Sequence, residues 1–133
     1  MSYLEAFGIE VVDACSLEVA DNVAVGRLDP VALAGRVRAL DLSRAQGVIA
    51  SACVQMPSLP VLEPIQQQLG LPVLSAATAT TYEILDHLGW EPVLAGAGAA
   101  LSPEVDSPGW SGDHRYQCPG TLDSENAMTA VRR

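Results

Sequence analysis

The sequence predicts an α/β fold, a three-layer sandwich around a short parallel sheet of three or four strands. From Ile9 to Leu94, apolar segments of strand length alternate with segments of helical period, the pattern of a parallel sheet with right-handed crossovers. Gly47-Val48-Ile49-Ala50-Ser51-Ala52 is almost continuously apolar, as a strand covered on both faces must be. Helix ends are punctuated: Asp29-Pro30 opens one helix, and Gly8, Gly70 and Gly89 close others. Aspartate caps a first turn, proline suits the first helical position, and glycine takes the left-handed closing residue at no steric cost.

In chain order, Tyr3 to Phe7 reads as the last turn of a helix closed by Gly8, with a strand over Ile9 to Asp13. After Asp29, the residues Leu33, Val37 and Leu40 recur on one helical face, while Arg36 and Arg38 stay in water. The strand at Gly47 follows. A helix then spans Ser58 to Leu69 with Leu62, Ile65 and Leu69 inward. Pro64 lies inside it and removes one N–H bond, which predicts a later start or a kink. Leu71 to Ser75 is a third strand, Thr78 to Leu88 a third helix, and Pro92-Val93-Leu94 a candidate fourth strand. Residues 1–101 form the domain. Residues 102–133, rich in proline, glycine and acids, read as a mostly disordered tail, with Asp123 to Val131 as a candidate short helix.

Composition narrows the function. The net charge of −9, with sixteen acidic residues, seven arginines and no lysine, repels phosphate backbones and anionic bilayers, so neither nucleic acid nor membrane is expected as a partner. No apolar run reaches the ~20 residues that span a bilayer, and the amino terminus lacks the basic start of a signal peptide, so a cytoplasmic location is expected. Cys15, Cys53 and Cys118 are an odd set without a Cys-x-x-Cys pair, which suggests neither a disulfide framework nor a zinc clip.

Cys53 carries the chemistry. It sits between the apolar Gly47 strand and the helix start at Pro57-Ser58, which puts its sulfur at the carboxyl edge of the sheet. There, helix amino ends aim unpaired N–H groups at a ligand, so a carboxylate can be held and thiolate is favoured over thiol. Placement alone leaves both a reactive thiol and a small buried filler open.

Ser51-Ala52-Cys53-Val54-Gln55-Met56-Pro57-Ser58-Leu59-Pro60 resembles the second cysteine motif of bacterial maleate cis-trans isomerases, in the aspartate/glutamate racemase superfamily. The likeness extends upstream through Gly8 to Asp13, Ala20-Asp21-Asn22 and Gly26 to Pro30, and downstream to about Leu101. The resemblance implies two similar α/β domains, each placing one cysteine beside a shared cleft. This chain matches the second domain only, the incomplete half of a racemase-like fold, and opens in the helix after that domain's first strand. In the family reaction, the first-domain thiolate adds to the double bond of maleate and the second-domain cysteine protonates the neighbouring carbon. Rotation and elimination then give fumarate without a cofactor. Cys53 matches the proton donor. Asn22 matches an asparagine that hydrogen-bonds a substrate carboxylate, and the backbone N–H groups of Val54 and Gln55 match those that receive one.

The first-domain nucleophile is absent from this sequence, which leaves open whether the chain is an enzyme. Superfamily racemases usually carry Asn-Thr or Thr-His after the corresponding cysteine, so Val54-Gln55 argues against an amino-acid racemase. The alternatives are an arylmalonate decarboxylase-like enzyme, which uses one second-domain cysteine, an amino-acid racemase-like enzyme, disfavoured by Val54-Gln55, and a non-catalytic carboxylate-binding remnant. A homo-oligomer through the surface left by the missing domain would face two Cys53 thiols across one cleft.

Other signals are weaker. Gly96-Ala97-Gly98 lacks the third glycine and βαβ setting of a dinucleotide loop. His114 and Cys118 are too few for a metal site, so no metal is expected. His87 suits a helix carboxyl end, Ser51 is not in a nucleophile elbow, Cys15 is expected beneath the sheet edge, and Cys118 as an exposed free thiol.

Overall fold

The computed structural model describes residues 2–50, 57–102 and 127–132. Its elements are α1 (Ser2–Ala6), β1 (Glu10–Ser16), α2 (Asn22–Val25), α3 (Pro30–Arg38), β2 (Gly47–Ile49), α4 (Leu59–Leu69), β3 (Val73–Leu74), α5 (Ala76–His87), a 3₁₀ turn (Ala99–Leu101) and β4 (Ala127–Arg132). The class is α/β, as expected. The four strands form one sheet in the order β1-β4-β2-β3. β2 and β3 are parallel, while β4 runs antiparallel to both β1 and β2. β1, β2 and β3 therefore share one direction, and their carboxyl ends lie on one edge.

Local chemistry sets most boundaries. Gly8, at φ 74°, closes α1 with its N–H on the Glu5 carbonyl at 3.0 Å, a turn that glycine makes without a Cβ clash. The Asp29 carboxylate accepts from the Val31 N–H at 2.9 Å and Pro30 starts α3, as the sequence indicated. α3 and α4 pack on each other, and Leu33, Val37, Leu62 and Ile65 join Val48, Val73, Met128 and Ala130 in one buried cluster. α4 runs through Pro64 without a late start. Burying Leu62 and Ile65 is worth roughly 1.5–3 kcal/mol each, which offsets a missing bond worth less.

Several elements depart from expectation, among them α2, which the sequence reading did not include. β1 extends to Ser16, past a bulge between Val11 and Asp13. Pro92-Val93-Leu94 forms no strand; its Leu94 N–H instead bonds the Leu101 carbonyl at 2.8 Å. Residues 127–132, expected as tail or short helix, are a strand inside the sheet. Met128 and Ala130 are fully buried with period two, which suits a strand whose inward face meets the core. The rest of the expected tail, with His114, Cys118 and Asp123, lies outside the described residues.

Candidate functional site at the carboxyl edge of the sheet

Three segments converge where β1, β2 and β3 end. After β1, the Asp21 carboxylate accepts from the Val23 N–H at 3.0 Å and starts α2. Asn22 is therefore the first residue of a short helix, and Val25, fully buried, anchors that helix in the core. The Asn22 side chain lies outside the described residues.

After β2, Ala50 is 1% exposed and its N–H bonds the Leu74 carbonyl of β3 at 2.8 Å. On the other side of the segment 51–56, Ser58 is 3% exposed at the head of α4. Cys53, Val54 and Gln55 fall between these two points and lie outside the described residues. Both flanks of the segment are thus held at one edge. α4 has eleven residues, and its amino end brings the positive end of the helix dipole to this side, although Pro60 has no N–H and the Val61 N–H already bonds the Ser58 carbonyl at 2.9 Å.

After β3, Ser75 and Thr78 make a reciprocal capping box: the Thr78 N–H bonds Ser75 Oγ at 3.2 Å, and the Ser75 N–H bonds Thr78 Oγ1 at 2.9 Å. Both side chains are buried. The box starts α5 two residues earlier than the sequence suggested, and the Ser-x-x-Thr spacing was the signal that would have found it. Because the two residues satisfy each other, they fix the helix rather than offer free donors to a ligand.

The other flagged residues sit elsewhere or serve packing. Cys15 is partly buried against the core cluster. His87 ends α5 beside a shallow groove with Thr80, Glu83, Ile84 and Leu88, far along the helix from the carboxyl edge. Gly98 lies against β3: a Cβ there would fall 2.5 Å from the Val73 carbonyl oxygen. That loop is a packing device. Among the described residues no group of three metal-ligating side chains occurs, and no helix is long and apolar enough to cross a membrane.

A family model described as arylmalonate decarboxylase matches residues 1–101. The chain belongs to that family. Within the arylmalonate decarboxylase family its relatives include the maleate isomerase of Geobacillus stearothermophilus, 54% identical over 102 residues, covering 77% of this chain and 41% of that protein. A solved Nocardia farcinica maleate cis-trans isomerase, a cysteine-to-serine mutant with a covalently bound succinylcysteine intermediate, superposes with TM-score 0.71 at 45% identity, over 74% of this chain and 40% of that one. A cysteine-to-alanine maleate isomerase from Pseudomonas putida S16 with maleate gives TM-score 0.63 at 38% identity, over 65% and 34%. The resemblance read from the cysteine motif holds. The chain spans 41% of the length of the Geobacillus relative.

Proposed function

We propose that this chain carries the proton-donor half-site of a maleate isomerase-like reaction. Cys53 is the acid thiol; Asn22 and the backbone N–H groups of Val54 and Gln55 seat the carboxylates of a small dicarboxylate, maleate. The observation that supports the reading is that α2, the end of β2 at Ala50 and the start of α4 lie on one sheet edge, in a chain about half identical to a maleate isomerase over 77% of its length.

The chemistry follows from what a succinylcysteine is. It is the product of a thiolate adding to one alkene carbon of a four-carbon dicarboxylate, with a proton delivered to the other carbon. The C–S bond forms, the π pair moves onto the neighbouring carbon and its carboxylate, and that carbon takes a proton from a thiol. Rotation about the resulting single bond is fast. Removal of the proton by the acid's thiolate and loss of the attacking sulfur then give fumarate, so one hard rotation is replaced by a modest addition and a modest elimination. Cys53 must be a thiol during addition and a thiolate during elimination, a requirement met by a sulfur near a helix amino end at neutral pH.

One acid thiol cannot supply both roles, so the isolated monomer is expected to bind the dicarboxylate without turning it over. Titration with maleate should move the amide resonances of Asn22, Val54 and Gln55 saturably, and their indifference would refute the half-site. Appreciable fumarate production by a verified monomer, abolished by Cys53→Ala, would refute the division of labour. Self-association that faces two Cys53 thiols would supply the second sulfur; sedimentation showing monomers alone at high concentration would remove that arrangement.

A further inference from the structure

β1 and β2 run in the same direction yet do not touch; a single strand separates them, and that strand is β4, hydrogen-bonded to both. Its direction is unusual for its place, because an antiparallel strand in an otherwise parallel α/β sheet normally occupies an edge. Its origin is equally telling. The family model stops at residue 101, and β4 begins at Ala127. The centre of the sheet is therefore built from a segment outside the family-matched part of the chain.

We infer that the gap between β1 and β2 is a strand-accepting groove, and that residues 127–132 are its intramolecular ligand. Three features show what the groove takes. The surroundings are apolar, since Val48, Leu33 and Val37 belong to the buried cluster in which the occupant's Met128 and Ala130 are fully enclosed. Both walls offer backbone partners: β1 pairs with β4 from Glu10↔Arg132 to Ser16↔Ala127, β2 pairs with it from Gly47 to Ile49, and the Gln46 N–H bonds the Val131 carbonyl at 2.8 Å. One end is acidic, with Glu10 accepting from Arg132 Nε at 2.7 Å. The occupant is thus an extended segment with slim or flexible apolar residues at alternate positions and a cation at its carboxyl end. Without it, β1 and β2 each present an unpaired edge beside buried apolar side chains, a state a folded domain avoids. The tail strand completes the domain. This inference is independent of maleate binding.

Cys15 and Met128 are register partners across β1 and β4, and directly opposed residues in an antiparallel pair lie ~4.5–5.5 Å apart at Cα, within disulfide range. In the full chain carrying Cys53→Ser, Cys118→Ser and Met128→Cys, mild oxidation should link position 128 to Cys15 within one polypeptide. The Thr129→Cys counterpart, one residue along and facing away, should link at least about tenfold more slowly. A link formed between two chains would overturn the intramolecular assignment, and the absence of any link in the folded protein would overturn the groove. Should Met128→Cys impair folding, hydrogen exchange on the unaltered chain decides: amides 128–131 should exchange at least ~100-fold more slowly than in a free peptide, and free-peptide rates would refute the inference.

Discussion

Arg132 and Glu10 meet across 122 residues of sequence, Arg132 Nε donating to Glu10 Oε2 at 2.7 Å, as the first register pair of β1 and β4. Arg44 lies 3.7 Å from the other oxygen of the same carboxylate. The end of the chain is thereby tied to its beginning at the amino end of β1.

The tie is specific but weak. The two side chains are 37% and 44% exposed, and partly exposed pairs of this kind contribute roughly 0.2–1 kcal/mol because water and salt screen them. Arg132→Ala should lower the unfolding free energy by less than ~1 kcal/mol. Urea titrations at low and high salt should show the difference shrinking as ionic strength rises.

Two glycines should respond oppositely to alanine. Gly98 has φ 78° and ψ −171°, and a Cβ would lie 2.5 Å from the Val73 carbonyl oxygen and 3.3 Å from Leu62 Cβ. Gly98→Ala should therefore destabilise by about 2 kcal/mol or more. Gly35, inside α3, has nothing within 4 Å of an added Cβ, so Gly35→Ala should stabilise by ~0.5–1 kcal/mol. Paired thermal melts check both signs.

Burial sets the third expectation. Leu62 is fully buried between α4 and the sheet, and Val31 on α3 is 72% exposed. Leu62→Ala should cost roughly 2–5 kcal/mol through lost transfer energy and a cavity. Val31→Ala should stay within about 0.5 kcal/mol of the parent. Denaturant midpoints separate the two.

Acid sensitivity has a named contributor. The Ser43 backbone N–H donates to Asp41 Oδ1 at 3.0 Å. That bond, then the Ser43 hydroxyl and Arg44, hold the Asp41 carboxyl below its ordinary value of 3.8. A lowered carboxyl pKa stabilises the fold above the unfolded value, and the stabilisation is lost as pH falls through the folded one. Asp41→Asn should therefore flatten the decline in stability below about pH 4. Urea midpoints at pH 7 and pH 3 for both proteins test this; an unchanged decline would exclude Asp41 as a contributor.

Much of the architecture was legible in local sequence because its causes are local. Asp29 and Pro30, Gly8 and Gly70 mark helix ends within a few residues of the atoms they satisfy, and the spacing of Leu33, Val37, Leu62 and Ile65 identified buried faces. α5 starts two residues before the expected Thr78 because the Ser75–Thr78 box caps it at Ala76. Of the candidate site, local sequence marked the Cys53 segment, which joins a continuous apolar strand to a helix start, whereas Asn22 was reached only through the family resemblance and the Asp21 cap that starts α2 emerged from the structure. Pro92-Val93-Leu94 looked like a strand but pairs with the Leu101 turn, since short apolar runs do not specify a partner.

What the sequence determined by itself was the alternation of strand and helix as far as α5, the acidic balance and the cysteine motif that resembles the family's. Tertiary structure alone decided the middle of the sheet. Ala127-Met128-Thr129-Ala130-Val131-Arg132 carries only a faint alternation and no flanking strand signal, and its partners lie as far back as Glu10. Strand pairing is a long-range hydrogen-bonding choice, so no local pattern announced that the last residues of the chain would fill the space between β1 and β2.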